Sequence, residues 1–397
     1  MIRMRIGSVA LCVCSAAFAL ALTPACASNV STAAPGATDA GTSVDAGDAV
    51  PQIAPPTTDH ATWDVAANGP FHVGYRTVQT SYTTPNGATR SFDVNIWYPT
   101  LDDDGTTPKY NDIFYDSKAY VDASLAASVY AGGKYPVQIY SHGDRGYPDN
   151  SAFLMRHFAS HGWVAIAPRH VGNTLGDTPA TKPQEIYYLR GLDIKASLDL
   201  LEKLPSSDVL AGKTDTTRVV MTGHSFGSHS VWTVAGAPFD VDGLTAKCKP
   251  ATGTPTMAPC TDADLTAFRA GVKDPRVISG FTMAGTLRTD WTGAHGESGV
   301  NIPMFFMSGT DDQIGQSAFY DSIAPFPFTW VDVQGACHLF FSTGKCNNIA
   351  DAKQVPIVGS FAMAFARKTL MNDSTQDVSD TLAGRKNDPA VVTFQVR

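Results

Sequence analysis

Residues 218–227, Arg-Val-Val-Met-Thr-Gly-His-Ser-Phe-Gly, constrain the fold more than any other stretch. The apolar run Val219, Val220, Met221 gives way to Ser225, which has a glycine two residues to either side. A strand that turns abruptly into a helix, with a reactive side chain at its apex, needs this pattern because the tight turn crowds any Cβ at the flanking positions. In a chain with 34 glycines the pentapeptide alone is weak. Its context strengthens it: a strand precedes, and residues 228–235 can continue as a buried helix. Ser225 is the candidate nucleophile.

The surrounding pattern gives the fold class. Residues 72–82 and 89–98, rich in Val, Tyr, Phe, Ile and Thr and separated by Pro85-Asn86-Gly87, read as an antiparallel hairpin. Residues 101–133 are irregular, with a short helix expected near 117–129. A buried strand follows at 136–140, then a helix at 150–161 stopped by Gly162, a strand at 163–167, an amphipathic helix at 185–204 and the nucleophile strand at 218–222. Further strands are expected at 277–283, 303–308 and 329–333. Strand alternating with helix implies right-handed crossovers, and so an α/β fold with a mainly parallel central sheet flanked by helices.

A serine hydroxyl is a poor nucleophile until a base takes its proton, and the base needs a carboxylate to orient it. On such a sheet the expected order is serine, acid, histidine. Asp312 follows the strand 303–308 in Gly309-Thr-Asp-Asp312, at the end where the reactive serine emerges. Asp290, after the preceding strand, is the alternative acid, and Asp311 is expected to point elsewhere. His338 is the one histidine C-terminal to Asp312, which makes it the candidate base. His142 and His224 are expected to position loops of the site, whereas His157, His161, His170 and His229 read as structural. An oxyanion hole would take the backbone N–H of Phe226 and a second N–H from the loop after strand 136–140, namely that of Asp144.

Seven cysteines divide informatively. Cys12, Cys14 and Cys26 fall in or beside an N-terminal segment in which Arg3 and Arg5 precede the apolar run 6–22, the pattern of a signal peptide. Cleavage after Ala27 would release the chain. Residues 22–26 also resemble a bacterial lipobox, which would end the signal at residue 25 and make Cys26 a lipid anchor without a membrane span. The expected location is outside the cytoplasm, as a periplasmic or cell-surface lipoprotein or a secreted protein. The four remaining cysteines, even in number and closely spaced, point to disulfides Cys248 with Cys260 and Cys337 with Cys346. No cysteine pair has metal-ligand spacing, so neither metal nor cofactor is expected.

Residues 28–70 form the expected linker, the section to about residue 58 being rich in Ala, Thr, Pro, Ser, Gly and Asp with almost no large apolar side chain. Residues 71–397 form one catalytic domain. An insertion at about 239–274, holding Cys248 and Cys260, is either a disulfide-pinned lid or a surface excursion. A net charge of −8 offers no footprint for nucleic acid.

Ser141-His142-Gly143, the run 158–167, Gly223-His-Ser-Phe-Gly227 and Asp274-Pro-Arg276 together resemble the bacterial predicted dienelactone hydrolases that group with platelet-activating-factor acetylhydrolases in the α/β-hydrolase superfamily. The resemblance covers about residues 75–365. It implies a Ser225, Asp312, His338 triad, no metal, and hydrolysis of carboxylic esters through an acyl-enzyme. Dienelactone hydrolases proper use a cysteine nucleophile, and the acetylhydrolases place their acid after the earlier strand, which keeps Asp290 in contention.

The expected activity is that of an exported serine esterase on short-acyl or lipid esters. A polyester or cutinase-like hydrolase is the alternative, and a serine peptidase or amidase would use the same triad. From another class comes a non-catalytic surface binding protein on the same scaffold.

Overall fold

Alternating apolar side chains on parallel strands build two cores, one on each face of a single sheet. The computed structural model describes residues 59–323, 326–388 and 391–396. The leader, Cys26 and the linker as far as residue 58 lie outside the described residues.

The strands are β1 (His72–Thr83), β2 (Thr89–Thr100), β3 (Lys109–Tyr110), β4 (Phe114–Tyr115), β5 (Tyr120–Val121), β6 (Tyr135–Ser141), β7 (Val164–Pro168), β8 (Thr214–His224), β9 (Val277–Met283), β10 (Met304–Gly309), β11 (Thr329–Val333) and β12 (Val392–Val396). Ten of them form one sheet in the order β12-β11-β10-β9-β8-β6-β7-β2-β1-β5, while β3 and β4 pair separately. From β7 to β11 every neighbour is parallel. The hairpin β1–β2 and the last strand β12 add antiparallel edges. Strands buried on both faces read as continuous apolar runs. In β8, Val219 and Met221 enter one core and Val220 the other; in β10, Phe306 and Phe305 divide in the same way.

The helices are α1 (Ala152–Ser160), α2 (Ile186–Glu202), α3 (Phe226–Ala235), α4 (Val241–Cys248), α5 (Asp262–Ala270), α6 (Thr289–Thr292), α7 (Gln316–Ser322), α8 (Ser360–Met371) and α9 (Gln376–Leu382). Residues of α2 and α3 belong to one core, and those of α1 and α8 to the other. Gly162, at φ +80°, ends α1 in the left-handed conformation that glycine adopts without penalty.

The chain lays β7 on one side of β6 and β8 on the other. The strand order therefore reverses between β6 and β8, and the crevice beyond their carboxyl ends is where an open α/β sheet binds its ligands. Ser141, which ends β6, pairs there with Gly223, two residues before Ser225.

Two expectations fail. The expected linker runs on to residue 70, but the structure packs residues 59–70: Trp63 and Val65 are buried, the Val65 N–H donates to Asp377 at 3.0 Å, and Arg367 donates to the Trp63 carbonyl at 3.0 Å. No helix forms over residues 117–129, where β5 pairs with β1 instead. There Asp122 takes φ +50°, outside the helical region, and Ser124 is tied back to Asp102, 22 residues earlier, by its N–H (2.6 Å) and its hydroxyl (2.5 Å).

Candidate active site

Ser225 sits at φ 54°, ψ −119°, a strained backbone for a residue with a Cβ. The turn is held by its N–H donating to the Met283 carbonyl at 2.9 Å. Both flanking glycines are required by packing: a Cβ on Gly223 would stand 2.3 Å from the Gly227 carbonyl oxygen, and one on Gly227 would stand 1.9 Å from that of Ser141. Ser228 lies in the first turn of α3. Its hydroxyl lies 3.1 Å from the carbonyls of Gly223 and Met283 and braces the same turn.

The loop after β10 brings Asp312 against His338, which opens the single helical turn after β11. His338 Nδ1 and Asp312 Oδ2 are 2.9 Å apart, and Gln316 Nε2 donates to the same oxygen at 2.8 Å. The Asp312 side chain is 2% exposed, against 31% for His338, so the carboxylate is sealed beneath an imidazole that still reaches solvent. Asp311 points away, accepting from Asn348 at 2.7 Å. Asp290 does not join His338: it lies on α6, half exposed, with both carboxylate oxygens taken by Arg288 at 3.0 and 2.9 Å.

His224 ties the two halves of the site together. Its ring lies 4.8 Å from that of His338, and its Nε2 is 2.9 Å from the His338 carbonyl oxygen, to which it donates. Burial, then the neighbouring His338, lower its pKa to about 3. His224 is thus a neutral donor. The Cys337–Cys346 disulfide adjoins the same segment, and the Cys248–Cys260 disulfide closes the loop between α4 and α5.

The loop 141–146 faces the elbow. His142 is fully buried, and its Nε2 accepts the His170 N–H at 3.2 Å. That fixes the proton on Nδ1, which donates to the Gly143 carbonyl at 2.8 Å. The Asp144 carboxylate accepts from Asn173 at 2.6 Å and from Lys182. Burial raises its pKa, but the hydrogen bonds of Lys182 and Asn173 outweigh burial and hold it below the ordinary value. The N–H of Phe226 opens α3, where helical N–H groups have no acceptor within the helix.

An aromatic wall runs outward from Phe226. Tyr187 meets it at 4.8 Å between ring centroids and stacks on Trp291 at 3.5 Å; Trp291 in turn approaches Phe268 at 5.8 Å. Phe268 belongs to the 239–274 insertion, which is seated on α2 through Tyr188 and Asp264 (2.8 Å) and on the Asp290 carbonyl through Lys247 (2.9 Å). The insertion backs this wall.

Sequence reasoning missed Arg190, Gln316, Asn173 and Lys182. Arg190 left a trace: it lies four residues from both Ile186 and Ile194, on the apolar stripe of α2, where a charge is out of place. Among the described residues no group of three or more His, Cys, Asp or Glu side chains is arranged to hold a metal ion.

A family model described as Chlorophyllase, a family within the α/β-hydrolase superfamily, matches residues 117–244. That stretch holds the loop 141–146, Arg190 and Ser225, but neither Asp312 nor His338. The narrower likeness to dienelactone hydrolases and platelet-activating-factor acetylhydrolases is not carried by this match. No curated protein matches the chain. The reversal of strand order between β6 and β8, the mostly parallel sheet flanked by helices and the family match together identify the fold as that of the α/β-hydrolases.

Proposed function

We propose that the chain is an exported serine esterase that hydrolyses carboxylic esters, of short-acyl or lipid type, through an acyl-enzyme. The observation that carries this reading is the sealed Asp312 carboxylate 2.9 Å from His338 Nδ1, on loops beside the strained Ser225.

With Nδ1–H held by Asp312, His338 presents Nε2 as the base. Ser225 Oγ attacks the ester carbonyl carbon as its proton passes to Nε2. Charge develops on the former carbonyl oxygen, where the N–H groups of Phe226 and Asp144 stabilise it; one such donor is worth roughly 3 kcal/mol in comparable sites. The intermediate collapses, and His338 returns the proton to the departing alcohol. Water then attacks the acyl-Ser225 with His338 again as base, releasing the carboxylic acid and restoring the serine.

Export rests on the leader pattern and on two disulfides, which persist in oxidising compartments. Cys26 would anchor a lipidated form.

The test is intact mass after treatment with a p-nitrophenyl dialkyl phosphate. A single adduct on the wild type, absent from Ser225→Ala, is expected, followed by turnover of p-nitrophenyl acetate. No adduct on the folded protein would favour a non-catalytic binding protein.

A further inference from the structure

Arg190 is the one arginine of the helices around the crevice that is wholly shut away from water, and its contacts radiate toward both halves of the expected oxyanion hole. Its Nε donates to Ser230 Oγ at 3.2 Å, on α3. Its Nη1 donates to Asn173 Oδ1 at 2.6 Å, on the loop after β7. Its Nη2 donates to Ser141 Oγ at 3.0 Å and to the His142 carbonyl, at the end of β6. The guanidinium carbon also lies 4.6 Å from the centre of the Phe226 ring. One side chain therefore joins the nucleophile helix to the loop 141–146.

Two relays extend this grip to the second donor. Asn173, held by Arg190, passes its own N–H to the Asp144 carboxylate at 2.6 Å. His142, whose carbonyl Arg190 holds, donates from Nδ1 to the Gly143 carbonyl, which also accepts the Gly146 N–H at 3.1 Å. The Gly143 carbonyl and the Asp144 N–H share one rigid peptide plane, so fixing the first orients the second.

The side chain has a planar fork of five N–H donors, and four oxygen acceptors from three segments use it. All four acceptors are neutral. A buried cation whose direct partners are neutral is costly as a purely structural device, because no contacting carboxylate compensates its desolvation. Burial accordingly lowers its pKa, to about 9, with Asp193 and Asp144 opposing from beyond hydrogen-bond contact; it stays charged at neutral pH.

We propose that Arg190 is a positioning residue for ester hydrolysis: it locks the loop 141–146 to α3 so that the Asp144 and Phe226 N–H groups converge on the oxygen of the tetrahedral intermediate. The proposal rests on the serine-esterase reading above. It touches no reacting atom, so its effect belongs to the transition state and not to ground-state binding.

The test uses the full chain with Arg190→Lys, which keeps the charge but not the fork. Three quantities are read: kcat and KM on p-nitrophenyl acetate, affinity for an alkyl trifluoromethyl ketone that forms a tetrahedral adduct on the serine, and Tm. Expected are a fall in kcat of about 100-fold, the scale of a lost oxyanion donor, a KM within threefold of wild type, and a loss of ketone affinity that parallels kcat. Should Arg190→Lys not fold, the His142 pair decides. His142→Asn can offer an amide N–H where Nδ1 stood and is expected within about fivefold of wild type, while His142→Leu loses at least 20-fold in kcat. A kcat within threefold for Arg190→Lys, or equal losses in His142→Asn and His142→Leu, overturns the proposal while leaving the esterase intact. A wild type that neither turns over ester nor binds the ketone overturns the serine reading itself, and Arg190's role with it.

Discussion

His224 Nε2 donates to the backbone carbonyl of His338 at 2.9 Å, so the residue that precedes the candidate nucleophile holds the residue proposed as its base. The bond crosses from the end of β8 to the turn after β11, two segments 114 residues apart in sequence. Asp312 fixes the rotation of the His338 ring, and His224 fixes the main chain that carries it. We expect His224→Phe to lower kcat about 10-fold or more with KM little changed, since reacting groups out of line lose rate steeply. Steady-state kinetics on a soluble p-nitrophenyl ester would show it. An unchanged kcat would mean that Asp312 alone is enough.

Asp312 and Asp290 are separated by their partners. Asp312→Asn keeps the size of the side chain but removes the charge that favours an Nδ1–H tautomer and the imidazolium. A drop of about 10⁴-fold in kcat is expected, the scale seen when a triad aspartate is amidated. Asp290→Asn loses only an exposed pairing with Arg288 and is expected within threefold of wild type. The opposite ranking would move the acid to the loop after β9.

Much of this arrangement was legible in the sequence, and the reasons differ by element. The parallel strands declared themselves because burial on both faces gives unbroken apolar runs, as at 164–167 and 304–307. The elbow declared itself through Gly223 and Gly227, whose missing Cβ atoms the backbone needs. Trp63 and Val65 were hidden because sparse apolar residues do not show that helices 300 residues away will cover them. Likewise β12 completes the sheet only by pairing with β11 across a distant loop, and no local pattern records that partner. The insertion was ambiguous for the same reason: its disulfide could be read from cysteine spacing, but its seat on α2 depends on Tyr188 meeting Asp264.

The contacts at Gly227 make a sharper demand than its motif does. Its hypothetical Cβ would meet the Ser141 carbonyl oxygen at 1.9 Å, a backbone atom that cannot rotate away. Gly227→Ala must therefore push α3 off β6 or distort the loop 141–146. We expect loss of stability of about 2 kcal/mol or more, on the scale of overpacking, together with at least a 100-fold fall in organophosphate labelling rate. A folded, normally labelled Gly227→Ala would show that the elbow and the β6 loop have room to separate.

The disulfides close loops with sequence separations of 12 and 9 residues, and each is expected to contribute about 3 kcal/mol on the chain-entropy scale. Their functional effects should differ. Cys337→Ser with Cys346→Ser frees the segment that carries His338, so kcat should fall together with Tm. Cys248→Ser with Cys260→Ser loosens the insertion behind Trp291, so Tm should fall while kcat on p-nitrophenyl acetate stays within about threefold. Equal kinetic losses in both pairs would mean that the insertion bears on the reacting centre directly.

Acid should unfold this protein through its histidines. Burial lowers the pKa of His142, His157 and His170 well below the ordinary value, of His161 to about 4, and of His224 and His229 to about 3. In the unfolded chain each titrates near 6.5. The unfolded state therefore binds more protons as pH falls below about 6.5, and stability drops until the folded-state values are reached. One histidine lowered to about 4 costs up to about 3 kcal/mol across that window, by linkage. Asp149 works in the opposite direction: burial raises it to about 6, so the folded state takes up that proton first and gains between pH 6 and about 4. Burial raises Asp193 and Asp332 as well, and lowers His60, so seven imidazoles stand against three carboxylates and a net loss remains. Thermal melts of Ser225→Ala from pH 8 to pH 4.5 should show Tm nearly flat above pH 7 and falling steeply below about 6. A Tm that holds steady to pH 4.5 would mean that these imidazoles gain access to water, and so take up protons, without the core opening.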